Sequence, residues 1–194
     1  MDVPRSADEQ SRAILEAASR ILSEEGAGAL TVRRIASEAG CSTMGLYSRF
    51  GGKEGVVEEL YVEGFRHLCD GMSAITPTDD PVEDMRACAR AYRTSALAHG
   101  THYMVMFGGA VPGFRPTRAS VSVALGAFDR LVARVQRCID AGAFKGDAAE
   151  IAEVWWGAMH GLVMLELVGI DPKHGDAEER YDLLLDTLLD GLRH

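Results

Sequence analysis

The sequence predicts an all-α protein of about nine helices, with a small N-terminal three-helix unit and a larger helical body. Three observations predict this class. Apolar residues recur at steps of three and four along most of the chain, the period of one helix face. Capping signals repeat between those stretches. No stretch alternates convincingly at period two, and no internal repeat is found.

Taken in order, Ile14, Ala17, Ala18 and Ile21 line one face of a first helix over 6–25. Val32, Ile35, Ala36 and Ala39 do the same for a second over 32–39, and a short third covers 43–49. A fourth runs from Lys53 to about Ser73, with Val57, Leu60, Phe65, Leu68 and Met72 apolar. The polar, proline-bearing stretch 75–81 is a connection, followed by helices over 81–99 and 101–107 and a loop, GGAVPGFRPT. Val121, Leu125, Phe128, Val132, Val135 and Ile139 form a heptad-like stripe on a long helix. The last two helices cover about 147–168 and 176–193.

Starts and stops follow from backbone chemistry. Ser6 with Glu9, Asp80 with Glu83, Asp147 with Glu150 and Asp176 with Glu179 have the spacing of an N-cap and its third helical residue. Each sets a side-chain oxygen at orphan amides and a carboxylate at the positive end of the dipole. Pro81 takes a first helical position, where its missing N–H costs nothing. Stops are expected at Gly26, Gly40, Gly100, Gly108–Gly109, Gly142 and Gly169.

Length and composition narrow the function class. A chain of 194 residues with 47% hydrophobic residues can bury a real core. The start of the chain lacks the basic and apolar regions of a signal peptide, and no apolar run is long enough for a bilayer. A cytoplasmic protein that does not engage membrane is expected. Cys41, Cys69, Cys88 and Cys138 lie far apart with no CxxC pair, so structural thiols are expected.

Charge is distributed unevenly. From Thr31 to Lys53, Arg33, Arg34, Arg49 and Lys53 against Glu38 give +3, while the whole chain carries −9 and the remainder therefore −12. A basic island on an acidic chain suggests a polyanion engaged at one place. The spacing inside the island has physical reasons. Ala36 is small enough for two helices to cross closely, and Gly40 suits a left-handed exit from the second helix. Leu46 and Phe50, four apart, anchor the third helix inward, and Ser42 can cap it. That leaves Thr43, Met44, Gly45, Tyr47, Ser48 and Arg49 outside, a surface suited to a major groove. Thr31, Lys53 and the early Arg33 and Arg34 set donors near helix N-termini, where phosphates are held. The Tyr47 hydroxyl can donate to a phosphate, or its ring can pack half-buried; both readings stay open. Gly51–Gly52 reads as a tight turn.

These residues carry a resemblance. Thr31-Val-Arg-Arg-Ile-Ala, Ala39-Gly-Cys-Ser, Leu46-Tyr-Ser-Arg-Phe50 and Lys53-Glu54 occur in order at a fixed spacing. The stretch, roughly residues 10–65, strongly resembles the DNA-binding region of the TetR family of transcriptional regulators. The resemblance implies an all-helical homodimer that represses from a palindromic double-stranded operator and is released by a small-molecule effector of unspecified identity. An activator of the same fold is the alternative. Carried over by position, Arg33, Thr43, Met44, Gly45, Ser48 and Arg49 would meet bases or the groove, and Thr31, Tyr47 and Lys53 would hold phosphates. Two positions depart from the family pattern: Met44 stands where glycine or proline is common, and Gly45 where a small hydroxyl or alanine is common. Gly52 stands where Ser, Asp or Asn more often caps, a tolerated change. The implied division is a DNA-binding domain over 1–52 and a ligand-binding and dimerisation domain over 53–194.

In the body, Trp155-Trp156-Gly-Ala-Met-His160-Gly161 resembles a C-terminal domain found in part of that family. His160 either meets a ligand beside the Trp156 ring or is a hydrogen-bonded core histidine, and the sequence leaves both readings open. Gly157 and Gly161, four apart, permit close approach of a second helix. Tyr92, His99, Tyr103, Met104, Phe107, Phe114, Phe128, Trp156 and His160 are candidates to line an apolar cavity, with ordinary core packing as the rival for each. Tyr181, Leu184, Leu185, Leu188, Leu189 and Leu192 form an apolar stripe on the last helix, available to a dimer or to the chain's own core. A two-fold dimer is expected, with its reading helices about 34–36 Å apart, one turn of DNA.

Other classes find less support. The sequence has no HExxH, GxSxG, GxxxxGK or GxGxxG pattern, so an enzyme is not expected. A helical ligand-binding protein without DNA function sits poorly with Arg33, Arg49 and Lys53. His99 and His102 lack helical ligand spacing and an evident third ligand, so neither a metal nor a cofactor is expected.

Overall fold

The computed structural model describes residues 7–170 and 176–192, and among them the chain forms α-helices without a strand. In order these are α1 (Ala7–Glu24), α2 (Val32–Glu38), α3 (Thr43–Phe50), α4 (Lys53–Ser73), α5 (Pro81–Ala98), α6 (Gly100–Met106), α7 (Arg118–Asp140), α8 (Ala148–Leu167) and α9 (Ala177–Leu192). The chain packs as two compact units. One holds residues up to Phe65 together with Thr101–Val121; the other holds Arg66–Gly100 and the residues from Ser122 onward.

The first unit is built on the buried faces of its short helices. Ile14, Ala17, Ala18 and Ile21 of α1 meet Ile35 and Ala36 of α2, and Leu46 of α3 is buried completely. Val56, Val57, Leu60 and Tyr61 extend this core along the first half of α4. The α2 exit follows the expected glycine chemistry. Gly40 takes φ 65°, and the Cys41 amide donates back to the Ala36 carbonyl at 2.9 Å. Gly51, at φ 72°, ends α3 in the same left-handed conformation.

A stronger constraint sits at Gly55. A methyl group there would overlap the Phe50 carbonyl oxygen and lie 2.8 Å from its carbon. The first turn of α4 therefore rests directly on the last turn of α3. Farther along, Glu58 accepts from the Thr117 amide (2.9 Å), the Thr117 hydroxyl (2.8 Å) and the Ser120 hydroxyl, fixing the start of α7. Burial pushes the Glu58 carboxyl up, but these donors outweigh it and hold it below the usual range.

In the second unit α8 packs on α5 and α9, around Met85, Tyr92, Trp155, Met159, Val163, Tyr181, Leu185 and Leu189. The expected caps form. Asp80, Asp147 and Asp176 each accept from two amides of the following first turn. The Ser6 cap lies outside the described residues. Ion pairs join α5 to α9, with Arg86 to Asp186 at 2.6 Å and Arg90 to Asp182 at 2.9 Å, and α5 to α8, with Arg93 to Glu166 at 2.8 Å. Asp84 is buried and accepts from the Thr78 amide and hydroxyl and from Arg137 at 2.9 Å. Burial raises its carboxyl, and those donors outweigh burial, leaving it below the usual range. Cys69, Cys88 and Cys138 are buried thiols, and desolvation pushes Cys138 up to about 11.

Two sequence expectations change here. Gly100 opens α6 instead of stopping a helix; the break falls at His99, φ −121° and ψ 42°. The heptad-like stripe coincides with the fully buried face of α7 only at Val135. Leu131, Val135 and Cys138 are buried, whereas Leu125 is 58% exposed. The stripe keeps to one face, since its 18-residue span is about five turns at 3.6 residues per turn, but the covered face lies to one side of it: Leu131 and Cys138 each precede a stripe residue by one position.

Candidate nucleic-acid interface

The candidate surface is the outer side of α3 with the helix ends on either side. Leu46 is the buried anchor and Phe50 is half-buried. Ser42 caps α3, its hydroxyl accepting the Gly45 amide at 3.0 Å. Thr43, Met44, Tyr47, Ser48 and Arg49 are exposed and Gly45 is half-exposed, so the third helix turns outward the residues assigned to that side. Met44, at 77% exposure, is the most exposed large apolar residue among those described.

The residues assigned to phosphate separate into two groups. Thr31 caps α2, its hydroxyl accepting the Arg34 amide at 3.2 Å; a hydroxyl that accepts keeps its own proton for an outside acceptor. Arg33 is exposed, and Lys53 is the first residue of α4, where amides are unsatisfied. Arg34 is different. Its guanidinium donates to Glu25 at 2.8 Å and Glu38 at 2.7 Å, and Arg20 adds a second cation on Glu38 at 2.9 Å. That network joins α1 to α2 and uses two of the guanidinium's N–H groups, leaving its other donors on an exposed side chain. Tyr47 is exposed, with its ring packed on the turn that follows α3. Its Cε1 lies 3.3 Å from where a Gly52 side chain would begin, while 53% of the residue stays exposed.

Two features of this surface escaped the sequence. Glu25 as the acidic partner of Arg34 lies nine positions away, beyond a helical turn, and only the fold brings it near. Gly55 had no motif to flag it, since its reason is a backbone contact with Phe50.

A family model described as bacterial regulatory proteins, tetR family, matches residues 14–60. A second, described as tetracyclin repressor-like, C-terminal domain, matches residues 85–188, more than half of the chain. The chain belongs to the TetR family. HTH-type transcriptional regulators of Mycobacterium tuberculosis and Mycobacterium bovis are 30% identical over 149 residues, 74% of this chain. The chain spans 62% of the length of those relatives. Among solved structures, a protein of unknown function from Rhodococcus sp. RHA1 is 26% identical at TM-score 0.82, covering 95% of this chain and 96% of that one. The TetR family regulator PfmR from Thermus thermophilus shares the fold at TM-score 0.73 and 23% identity, covering 93% and 99%. The fatty acid degradation regulator FadR from Bacillus halodurans does so at 0.76 and 21%, covering 100% and 99%.

Within this TetR-family chain, the candidate ligand residues fall in both units. In the second, the Trp156 indole donates to the Tyr92 hydroxyl at 3.3 Å, Phe128 lies 6.0 Å from Trp156, and His160 lies 6.4 Å from it on the same helix. Burial holds the His160 imidazole below its usual range, favouring the neutral ring. His99 stacks face to face on His67 at 3.8 Å and is bonded to the Ser95 carbonyl. In the first unit, Tyr103 is buried against Phe107 at 4.9 Å, and Phe107 against Phe65 at 5.5 Å. Phe114 meets Tyr61 at 5.9 Å, and Met104 sits over Gly108. Here Tyr61 and Phe65 of α4 complete an aromatic cluster that the α6 residues alone did not reveal. His102 is bonded to Glu63 at 3.0 Å.

The apolar stripe of α9 is divided. Tyr181, Leu185 and Leu189 are buried in the unit's own core, Leu184, Leu188 and Leu192 are half-buried, and Leu183 is 66% exposed. On α8, Val154, Gly157, Gly161 and Leu165 are exposed at steps of three and four, opposite the buried Trp155, Met159 and Val163. Side chains added at Gly157 or Gly161 would meet open space. Among the described residues, no helix is long and apolar enough to cross a membrane.

Proposed function

We propose that this chain is a DNA-binding transcription regulator that works as a homodimer. In this reading residues 1–52 engage a palindromic duplex, and residues 53–194 carry the effector and dimer surfaces. The observation that carries the proposal is α3: a capped helix, anchored by Leu46, whose outer side exposes Met44, Tyr47, Ser48 and Arg49. Arg33, Thr31 and Lys53 flank it as phosphate contacts, and Thr43, Gly45 and Ser42 complete the groove-facing edge. Arg34 serves the fold through Glu25 and Glu38. Acting on a promoter places its work in the cytoplasm.

The dimer reading is supported by the uncovered stripes. Val154, Gly157, Gly161 and Leu165 on α8 and Leu183 on α9 offer apolar groups and small residues that a second copy's helices can approach closely. For the effector, the group of Tyr92, Phe128, Trp156 and His160 offers mostly ring surface with a hydroxyl and a neutral imidazole. These fit a small, largely apolar molecule with one polar group, and His99, Tyr103, Met104 and Phe107 are further candidates. Repression with release requires that molecule to bind the DNA-incompetent state more tightly.

The test is selection of bound duplexes from a random pool, followed by affinity against salt. A palindrome should emerge, with binding that weakens steeply as salt rises because phosphate contacts release counterions. Lys53→Ala should weaken binding to every sequence alike and reduce the salt slope by about one. Failure of any duplex to enrich would refute the proposal.

A further inference from the structure

The departures at Met44 and Gly45 place two chemically different groups on one reading surface. At 3.6 residues per turn, Met44 and Ser48 lie roughly 160° and 200° around α3 from buried Leu46, so they form its outermost line. Met44 is 77% exposed, and its thioether is the only large apolar group on that line. Arg49 starts nearer the core, about 60° from Leu46. Its side chain runs back toward the helix N-terminus, the direction helical side chains prefer. Nη1 reaches the Gly45 carbonyl at 3.3 Å and lies 3.8 Å from where a side chain at residue 45 would begin. Gly45 therefore leaves a lane along α3, and the guanidinium occupies it one turn outward of its own Cα. A bulky residue at 45 would fill that lane.

We infer that Met44 and Arg49 determine the half-site, Met44 by packing on a thymine methyl and Arg49 by donating to the N7 and O6 of a guanine. The inference rests on the duplex-reading role proposed above. Base chemistry selects these partners. The thymine C5-methyl is the apolar group of the major groove, and guanine presents the paired acceptors that match a guanidinium fork. The bond to Gly45 uses one Nη1 donor and leaves the rest of the fork for a base. A phosphate partner for Arg49 would carry no sequence information, and this separates the two roles experimentally.

The test uses the full chain and the duplexes it selects. Single thymines are replaced by deoxyuridine, which removes only the methyl, and single guanines by 7-deazaguanine, which removes only the N7 acceptor. For the wild type, one deoxyuridine per half-site should cost about fourfold in affinity, and one 7-deazaguanine at least about fivefold. Met44→Ala should become indifferent to that deoxyuridine, and Arg49→Gln to that 7-deazaguanine. Both residues are exposed, and circular dichroism confirms that the variants keep their helices. If duplexes enrich but the wild type ignores both replacements everywhere, the inference is overturned. It is equally overturned if Arg49→Gln weakens all duplexes alike and keeps full 7-deazaguanine sensitivity. If no duplex enriches, the duplex-reading role itself falls.

Discussion

Replacing Gly55 by alanine adds one methyl group, and the structure sets its consequence. The new carbon would overlap the Phe50 carbonyl oxygen and sit 2.8 Å from the carbonyl carbon, where ordinary contact begins at 3.4 Å. The oxygen is closer than the carbon and sets the movement, so the two backbones must part by more than about 1 Å. No flexible side chain can absorb the move, because the obstructing atoms are main chain. Overpacking costs about 1–3 kcal/mol, and a backbone obstruction belongs at the upper end. Alanine recovers roughly 1 kcal/mol of helix propensity, which leaves a net loss of about 1–2 kcal/mol. Gly126→Ala in α7 is the control, since a side chain there meets nothing within 4 Å. The same substitution should stabilise by about 0.5–1 kcal/mol. Urea denaturation of both variants at one protomer concentration measures the contrast. If Gly55→Ala matches or exceeds the wild type, close contact between α3 and α4 is not what requires glycine.

Leu46→Ala should cost about 2–5 kcal/mol, because the side chain is fully buried and its removal leaves a cavity under α3; a loss below about 1 kcal/mol would show that α3 is held by other contacts. Asp84, whose folded pKa lies below its ordinary 3.8, contributes stability that is complete above that value and lost as pH falls through the folded pKa. Asp84→Asn should flatten the acid limb of a stability–pH curve while lowering stability at neutral pH, and an unchanged acid limb would remove Asp84 from that role. Val154→Glu with Leu183→Glu should shift sedimentation to the monomer without loss of helical content. A dimer that persists at low micromolar concentration would place the interface elsewhere.

The helical frame was legible because its causes are local. The Asp80, Asp147 and Asp176 caps depend on residues two or three positions away, and helix ends such as Gly40 depend on one backbone conformation. For the same reason the inner and outer sides of α3 could be read from the spacing of Leu46 and Phe50. Burial along α7 was less legible: apolar residues every three or four positions identify a helix, but the neighbour that covers it decides which face is buried. Leu125 and Leu131 are equally apolar in sequence, yet one is 58% and the other 7% exposed.

By itself, then, the sequence determined an all-helical chain, the position of its caps and turns, and the basic island with its family pattern. Tertiary structure decided how those charges are used. Arg34 was one of four cations in the island until folding brought Glu25 beside it; Arg33 and Arg49 are exposed and Lys53 is half-exposed. Tertiary structure also decided which glycine has no room for a side chain: Gly55, because a carbonyl fills that space, whereas a methyl group at Gly45 would make only ordinary contacts with Ser42 and Arg49. Both follow from contacts between groups whose positions sequence spacing alone does not set. Local propensity fixes where a helix begins and ends, whereas packing fixes what each side chain can reach.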